Sequence, residues 1–223
     1  MSDNCSLRHT EGFCQYLDMT PTTRRYAGMS ADDRAADRRS RLLEAALEVF
    51  ASAGASGATM TSICARANLT ERYFYESFSS RDELLRHIVD SVSDDIRNAA
   101  LEALRSPADT VESRVRAAIT AFVTVLTDDP RKGRVAMIES LAVDSLRRHR
   151  RESLRQFARL VADQAHELYG DDAWPEPQAE INGLLFTGGL AELVVAWLND
   201  ELDVTPRQII ESATHQFIST AHR

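Results

Sequence analysis

The sequence predicts an all-α protein, with an N-terminal three-helix helix-turn-helix domain and a larger helical C-terminal domain, about nine helices altogether. Three observations carry this. Only nine Gly and six Pro occur in 223 residues. Apolar residues recur at helical spacing in segment after segment, and no segment alternates with the period of two that a half-buried strand needs. Cap-like residues open most of the periodic segments.

Residues 1–32 lack periodicity and are expected to form a disordered or loosely packed arm. The first helix is expected over 33–53, with Leu42, Leu43, Ala46, Leu47, Val49 and Phe50 on one stripe and Gly54 as its left-handed stop. Thr59 caps a helix from Met60 to Ala67, Asn68 supplies the turn, and Thr70 caps a helix from Glu71 to about Ser77. Ser80 with Glu83 forms a capping box for a fourth helix reaching about Arg105. Ser106-Pro107 signals a fifth helix to about Thr127, and Asp129-Pro130 a sixth over 131–148. Helices over 151–169, 177–199 and 206–221 follow, with Gly170 ending the first of these and Thr205-Pro206 opening the last. Domain boundaries fall at 33–90 and 91–223.

The formal charge of −8 excludes a uniformly basic surface. It hides an asymmetry, because residues 34–81 carry seven Arg against five acidic residues and the remainder is acidic. Contact with an anionic polymer is expected in that stretch. Cys5, Cys14 and Cys64 form neither a disulfide framework nor a zinc spacing, and the six His form no ligand set. No metal, cofactor or catalytic residue is expected. No signal peptide is evident, and the apolar run from Gly183 to Leu198 is short for a bilayer span and holds Glu192. A soluble, cytoplasmic chain with no membrane partner is expected.

Isolated two-turn helices are unstable in water, so the second and third must be held by the first and fourth. Ile63, Ala67, Leu69, Phe74 and Phe78 supply the inner side. Thr59, Thr61, Arg66, Thr70, Glu71, Arg72, Tyr73 and Tyr75 remain outside, a polar, aromatic and cationic face of a size to enter a major groove. The helix N-termini opened by Thr59, Thr70 and Ser80 favour phosphate. Arg38, Arg39 and Arg41 open the first helix and are candidates to follow the DNA backbone or a minor groove.

The run from Thr59 to Leu85, with Leu47-Glu48-Val49-Phe50-Ala51-Ser52-Ala53-Gly54 before it, resembles the DNA-binding signature of the TetR family over residues 36 to about 90. It departs mildly: Cys64 stands for the usual Ala, Asn68 for Gly, Leu69 for Val and Arg81 for Lys, and Tyr73 is bulkier than in many relatives. The resemblance implies that Thr59, Thr70, Tyr75 and Arg81 hold phosphate oxygens and that Glu71, Arg72 and Tyr73 reach base edges. It further implies a homodimer on a palindromic double-stranded DNA operator and a repressor released by a small-molecule ligand. The alternatives are a regulator without an effector, or an activator.

The helix over 177–199 is apolar all round and needs cover on both sides. It is either a central helix within one subunit or packed against its own core on one side and a second subunit on the other, and the TetR resemblance favours the latter. Leu184, Leu185, Gly188, Gly189, Val195, Trp197 and, from the last helix, Phe217 are candidates for that interface. The resemblance further implies a pocket for a small apolar or amphipathic effector among the middle helices. Its candidate lining is Phe122, Met137, Leu141, Phe157, Phe186 and Trp174, with Glu139, His149 and Asn182 as polar contacts. An enzyme is disfavoured, since Glu139 with His149 is the best acid–base pair on offer and nothing ties the two together. A helical adaptor would not need the surface from Thr70 to Arg81.

Overall fold

The computed structural model describes residues 30–223. Most of the expected N-terminal arm, with Cys5 and Cys14, lies outside the described residues. Helix α1 spans Ala31–Gly57 behind a capping box in which Ser30 and Asp33 exchange hydrogen bonds. Its buried Leu42, Ala46, Leu47 and Phe50 occupy one stripe. At Gly54, φ is +72°, so the chain kinks there before a last turn.

Helices α2 (Met60–Ala67) and α3 (Glu71–Ser77) follow with the expected bounds. Asn68 turns the chain between them in the left-handed region, φ 52° and ψ 48°. Helix α4, Arg81–Arg105, runs unbroken past position 90 and ties the small N-terminal bundle to the rest of the molecule. The Ser80 hydroxyl accepts from the Glu83 N–H as expected. The Glu83 carboxylate, however, takes the backbone and hydroxyl of Ser79 rather than the N–H of Ser80.

Helix α5 spans Val111–Asp128. It starts at the Thr110 cap, not at Ser106-Pro107. The expected sixth helix breaks up. A single turn, α6 (Pro130–Gly133), passes into a π-helical turn at Arg134–Ile138 and two short 3₁₀ turns at Glu139–Ala142 and Asp144–Leu146. Its apolar spacing suits a helix, but packing against α1, α4 and α8 overrides that preference. Helix α7 then covers Arg147–Tyr169, and Gly170, φ +56°, ends it. Helices α8 (Gln178–Leu198) and α9 (Pro206–Thr220) complete the fold.

Among the described residues these are nine α-helices and no strand. Two cores result. One joins α1–α4 to the irregular segment around Phe50, Ile63, Phe74 and Leu84, and the other joins α5, α7 and α9 around Ile119 and Phe217. The α7–α8 approach is close because a Cβ at Gly183 would meet the Ala158 carbonyl oxygen at 2.3 Å. Helix α8, longer than its apolar run suggested, has the length and hydropathy of a membrane span. It is only partly covered within the subunit: Gly183, Val194 and Val195 are buried, while Leu185 is 70% exposed.

Candidate nucleic-acid interface and internal cavity

Phe74 is fully buried and Phe78 nearly so, which turns the opposite side of α3 outward. Arg72 there is 84% exposed with its guanidinium on Glu76 at 3.1 Å, an exposed pair that a stronger acceptor can displace. Tyr75 is 60% exposed and sets its ring edge-on to Phe74. Tyr73 is half-buried under the Arg38 guanidinium, 4.6 Å from the ring centre. Glu71 accepts from the Thr61 hydroxyl at 3.3 Å. The Thr70 hydroxyl makes no capping bond, whereas that of Thr59 accepts from the Ser62 N–H.

Several arginines sit differently from the sequence expectation, because distant carbonyls claim them. Arg39 donates to the Ser77 carbonyl at 2.7 Å and stacks on Phe78 at 4.2 Å. Arg41 donates to the Ala67 carbonyl at 2.7 Å, and Arg38 pairs with Glu76 at 3.7 Å. Arg81 donates to the carbonyls of Ala55 and Ala58 at 2.8 and 2.9 Å and pairs with Asp82. These side chains lash α1, α2, α3 and α4 together.

A cavity of about 220 Å³ lies between α4, α5, α7 and α8, closed in part by α9 and the π-helical turn. Along α4 its lining runs from Val89 to Leu104, roughly 22 Å at the helical rise. Of the expected lining residues it contains Phe122, Met137, Phe157 and Phe186. Leu141 is not in the lining and is exposed on a 3₁₀ turn. Glu139 is buried, but its carboxylate points at α1, accepting from the Ala55 N–H at 2.7 Å and pairing with Arg134 at 3.2 Å. His149 binds Asp90 at 2.6 Å outside the cavity. Asn182 donates to the Thr220 carbonyl and, with Trp174, borders a separate small hollow under α9.

Sequence reasoning missed the cavity's polar groups: Ser93, Arg150, Ser153, Gln164 and Thr187. The arginine-rich start of α7 was the one signal that could have flagged Arg150. Of the expected interface residues, Leu184 and Trp197 are half-buried and Leu185 and Gly189 are open. A Cβ at Gly188 or Gly189 would meet nothing within 4 Å. Val195 is buried, and Phe217 turns inward instead, its ring 5.5 Å from Phe186, because α9 closes the second core.

Residues 42–88 match the sequence profile of the bacterial regulatory proteins, tetR family. Over 93 residues the chain is 36% identical to the HTH-type transcriptional activator FasR of Mycolicibacterium smegmatis, and this match spans 42% of each protein. The fatty acid degradation regulator FadR of Bacillus halodurans shares the fold, with TM-score 0.70 and 16% identity over 83% of this chain and 97% of that one. FadR of Bacillus subtilis, solved with stearoyl-CoA, gives TM-score 0.68 and 17% identity over 82% and 99%. Residues 42–88 are thus similar to the tetR family of bacterial regulatory proteins, and they sit in an all-helical frame shared with the two FadR structures.

Proposed function

We propose that the chain is a cytoplasmic, homodimeric transcription regulator that binds a palindromic operator and responds to an amphipathic small molecule. The observation that carries DNA binding is the outward face of α3. Arg72 and Tyr75 are open to solvent on a helix fixed from behind by the buried Phe74. Arg72 reads a base edge, with Glu71 and Tyr73 beside it, and the hydroxyls of Thr59, Thr70 and Tyr75 take phosphates. Arg38, Arg39 and Arg81 act chiefly as positioning residues, since their guanidinium groups already hold the bundle. Residues 33–90 form the DNA-binding unit and 91–223 the regulatory unit, with α4 shared between them.

A second copy covers the open face of α8 around Ile181, Leu185 and Gly189, residues that an apolar helix does not leave in water. The two recognition helices then lie on one face of the duplex. The narrow apolar cavity suits an extended aliphatic chain. The stearoyl-CoA bound by the Bacillus subtilis relative supports that choice. A ligand that prefers one arrangement of the two α3 helices shifts the population toward it, and operator affinity follows. Repression with release by ligand is the primary reading. Activation is the second, favoured by the FasR relative, which is an activator.

The test is a mobility shift with the DNA flanking the chain's own gene, followed by footprinting. A two-fold symmetric footprint at nanomolar protein supports the proposal. Equal binding to all duplexes, or none at low ionic strength, rejects it. A promoter fusion with and without the gene then separates repression from activation.

A further inference from the structure

Among the described residues the cavity walls are apolar but for a few groups, and Arg150 is the one charged side chain in them. Arg147, Arg148 and His149, which precede it, are each paired, with Asp144, Glu152 and Asp90. Arg150 makes no hydrogen bond or salt bridge among the described residues, and only the charge of Glu192 on α8 acts on it. Burial beside the apolar walls pushes its guanidinium pKa down. Arg150 is nonetheless exposed overall, so its guanidinium stays charged at the cavity mouth, where an anion can meet it with charge-assisted hydrogen bonds.

A second group points the same way. Thr187 lines the cavity, and its hydroxyl is shielded from solvent and has no hydrogen-bond partner among the described residues. Buried polar groups are normally satisfied, so the exception calls for an acceptor or donor that enters with a ligand. Helices α7 and α8 run antiparallel, since Gly183 abuts Ala158 while Glu192 lies near Arg150. Thr187 therefore stands about one helical turn further in than Ala191, which lines the Arg150 end.

We propose that Arg150 binds the anionic end group of a long-chain aliphatic effector and that Thr187 hydrogen-bonds an oxygen about one turn inside it. The chain then occupies the space between Ile96, Phe122, Phe157 and Phe186. This rests on the reading of the cavity as an effector site. The end group is a carboxylate or a phosphate, as in a free fatty acid or its coenzyme A thioester, and Arg150 recognises both by the same charge-assisted hydrogen bonds.

Calorimetric titration of the full-length protein with stearic acid, stearoyl-CoA and stearyl alcohol decides the matter. Arg150→Gln is expected to weaken at least one of the two anions by roughly tenfold, the value of a charged hydrogen bond, and to leave the alcohol unchanged. Arg150→Lys should keep most of that affinity, and Thr187→Val should weaken the same anion severalfold. Whichever anion binds tighter identifies the end group. Unchanged anion affinity in Arg150→Gln, or equal losses for anion and alcohol, overturns the role of Arg150 and leaves the aliphatic site standing. If none of the three ligands binds the wild-type protein, the aliphatic reading of the cavity fails and the proposal with it.

Discussion

The Glu139 carboxylate accepts a 2.7 Å hydrogen bond from the backbone N–H of Ala55, linking the irregular segment after α6 to the kink at the end of α1. On one side of this link, Ala136 and Met137 line the cavity. On the other, Ala55 and Ala58 are held by Arg81, and Thr59 opens the helix-turn-helix. Met137 lies on the π-helical turn, a rare backbone form that is frequent at functional sites. The cavity and the helix-turn-helix are thus linked through the buried Glu139–Ala55 contact.

Glu139→Ala leaves the buried Ala55 N–H without a partner, which should cost about 1–3 kcal/mol of stability, while Glu139→Gln keeps an acceptor and should cost less. Urea denaturation gives the stabilities. Operator titrations with and without effector give the coupling, and Glu139→Ala should narrow the difference between them.

Gly183→Ala forces a methyl group into the Ala158 carbonyl, and overpacking of this kind costs about 1–3 kcal/mol. Gly189→Ala meets no atom within the subunit. It should leave a dilute monomer no less stable and disturb only the association of two copies. Thermal denaturation across a concentration series separates the two effects.

Leu185→Glu places a charge at the centre of the open face of α8. Sedimentation velocity at micromolar concentration should then give a monomer where the wild type gives a dimer. Operator affinity should fall with it, because two half-sites are no longer bound together. A wild-type monomer under these conditions contradicts the proposed interface.

Asp82 sets the expected pH response. The Ser145 hydroxyl, with the neighbouring Arg81 guanidinium, stabilises its charged form and holds its carboxyl below the usual range. The folded pKa thus lies under the unfolded value of about 3.9. The stability it contributes is present at neutral pH and is lost as pH falls through the folded pKa. Asp82→Asn should lower the melting temperature at pH 7, and the gap to wild type should close on acidification below about pH 4.

The helix-turn-helix was legible because its signals are local. Thr59, Asn68 and Thr70 mark the ends of α2 and α3 by their own chemistry, and the structure keeps those bounds. The segment after Pro130 was not legible, since its apolar spacing is helical and only contact with α1, α4 and α8 breaks it. Apolar cavity residues such as Phe122 and Phe157 could be picked by type. Glu139, His149 and Asn182 could not be placed, because their partners Ala55, Asp90 and Thr220 are 84, 59 and 38 residues away. The same holds for Arg39 and Arg81. A sequence does not distinguish an arginine in solvent from one donating to a distant carbonyl.

The most direct measurement is fluorescence anisotropy of the full-length protein on its footprinted operator, over a range of salt, for wild type and Arg72→Ala. The wild type should bind its operator well above random duplex, with affinity falling steeply as salt rises. Arg72→Ala should retain the fold and the salt dependence but lose about 1–3 kcal/mol of discrimination at one base-pair position. An unaltered base preference in Arg72→Ala, with wild-type affinity, would contradict a recognition role for α3.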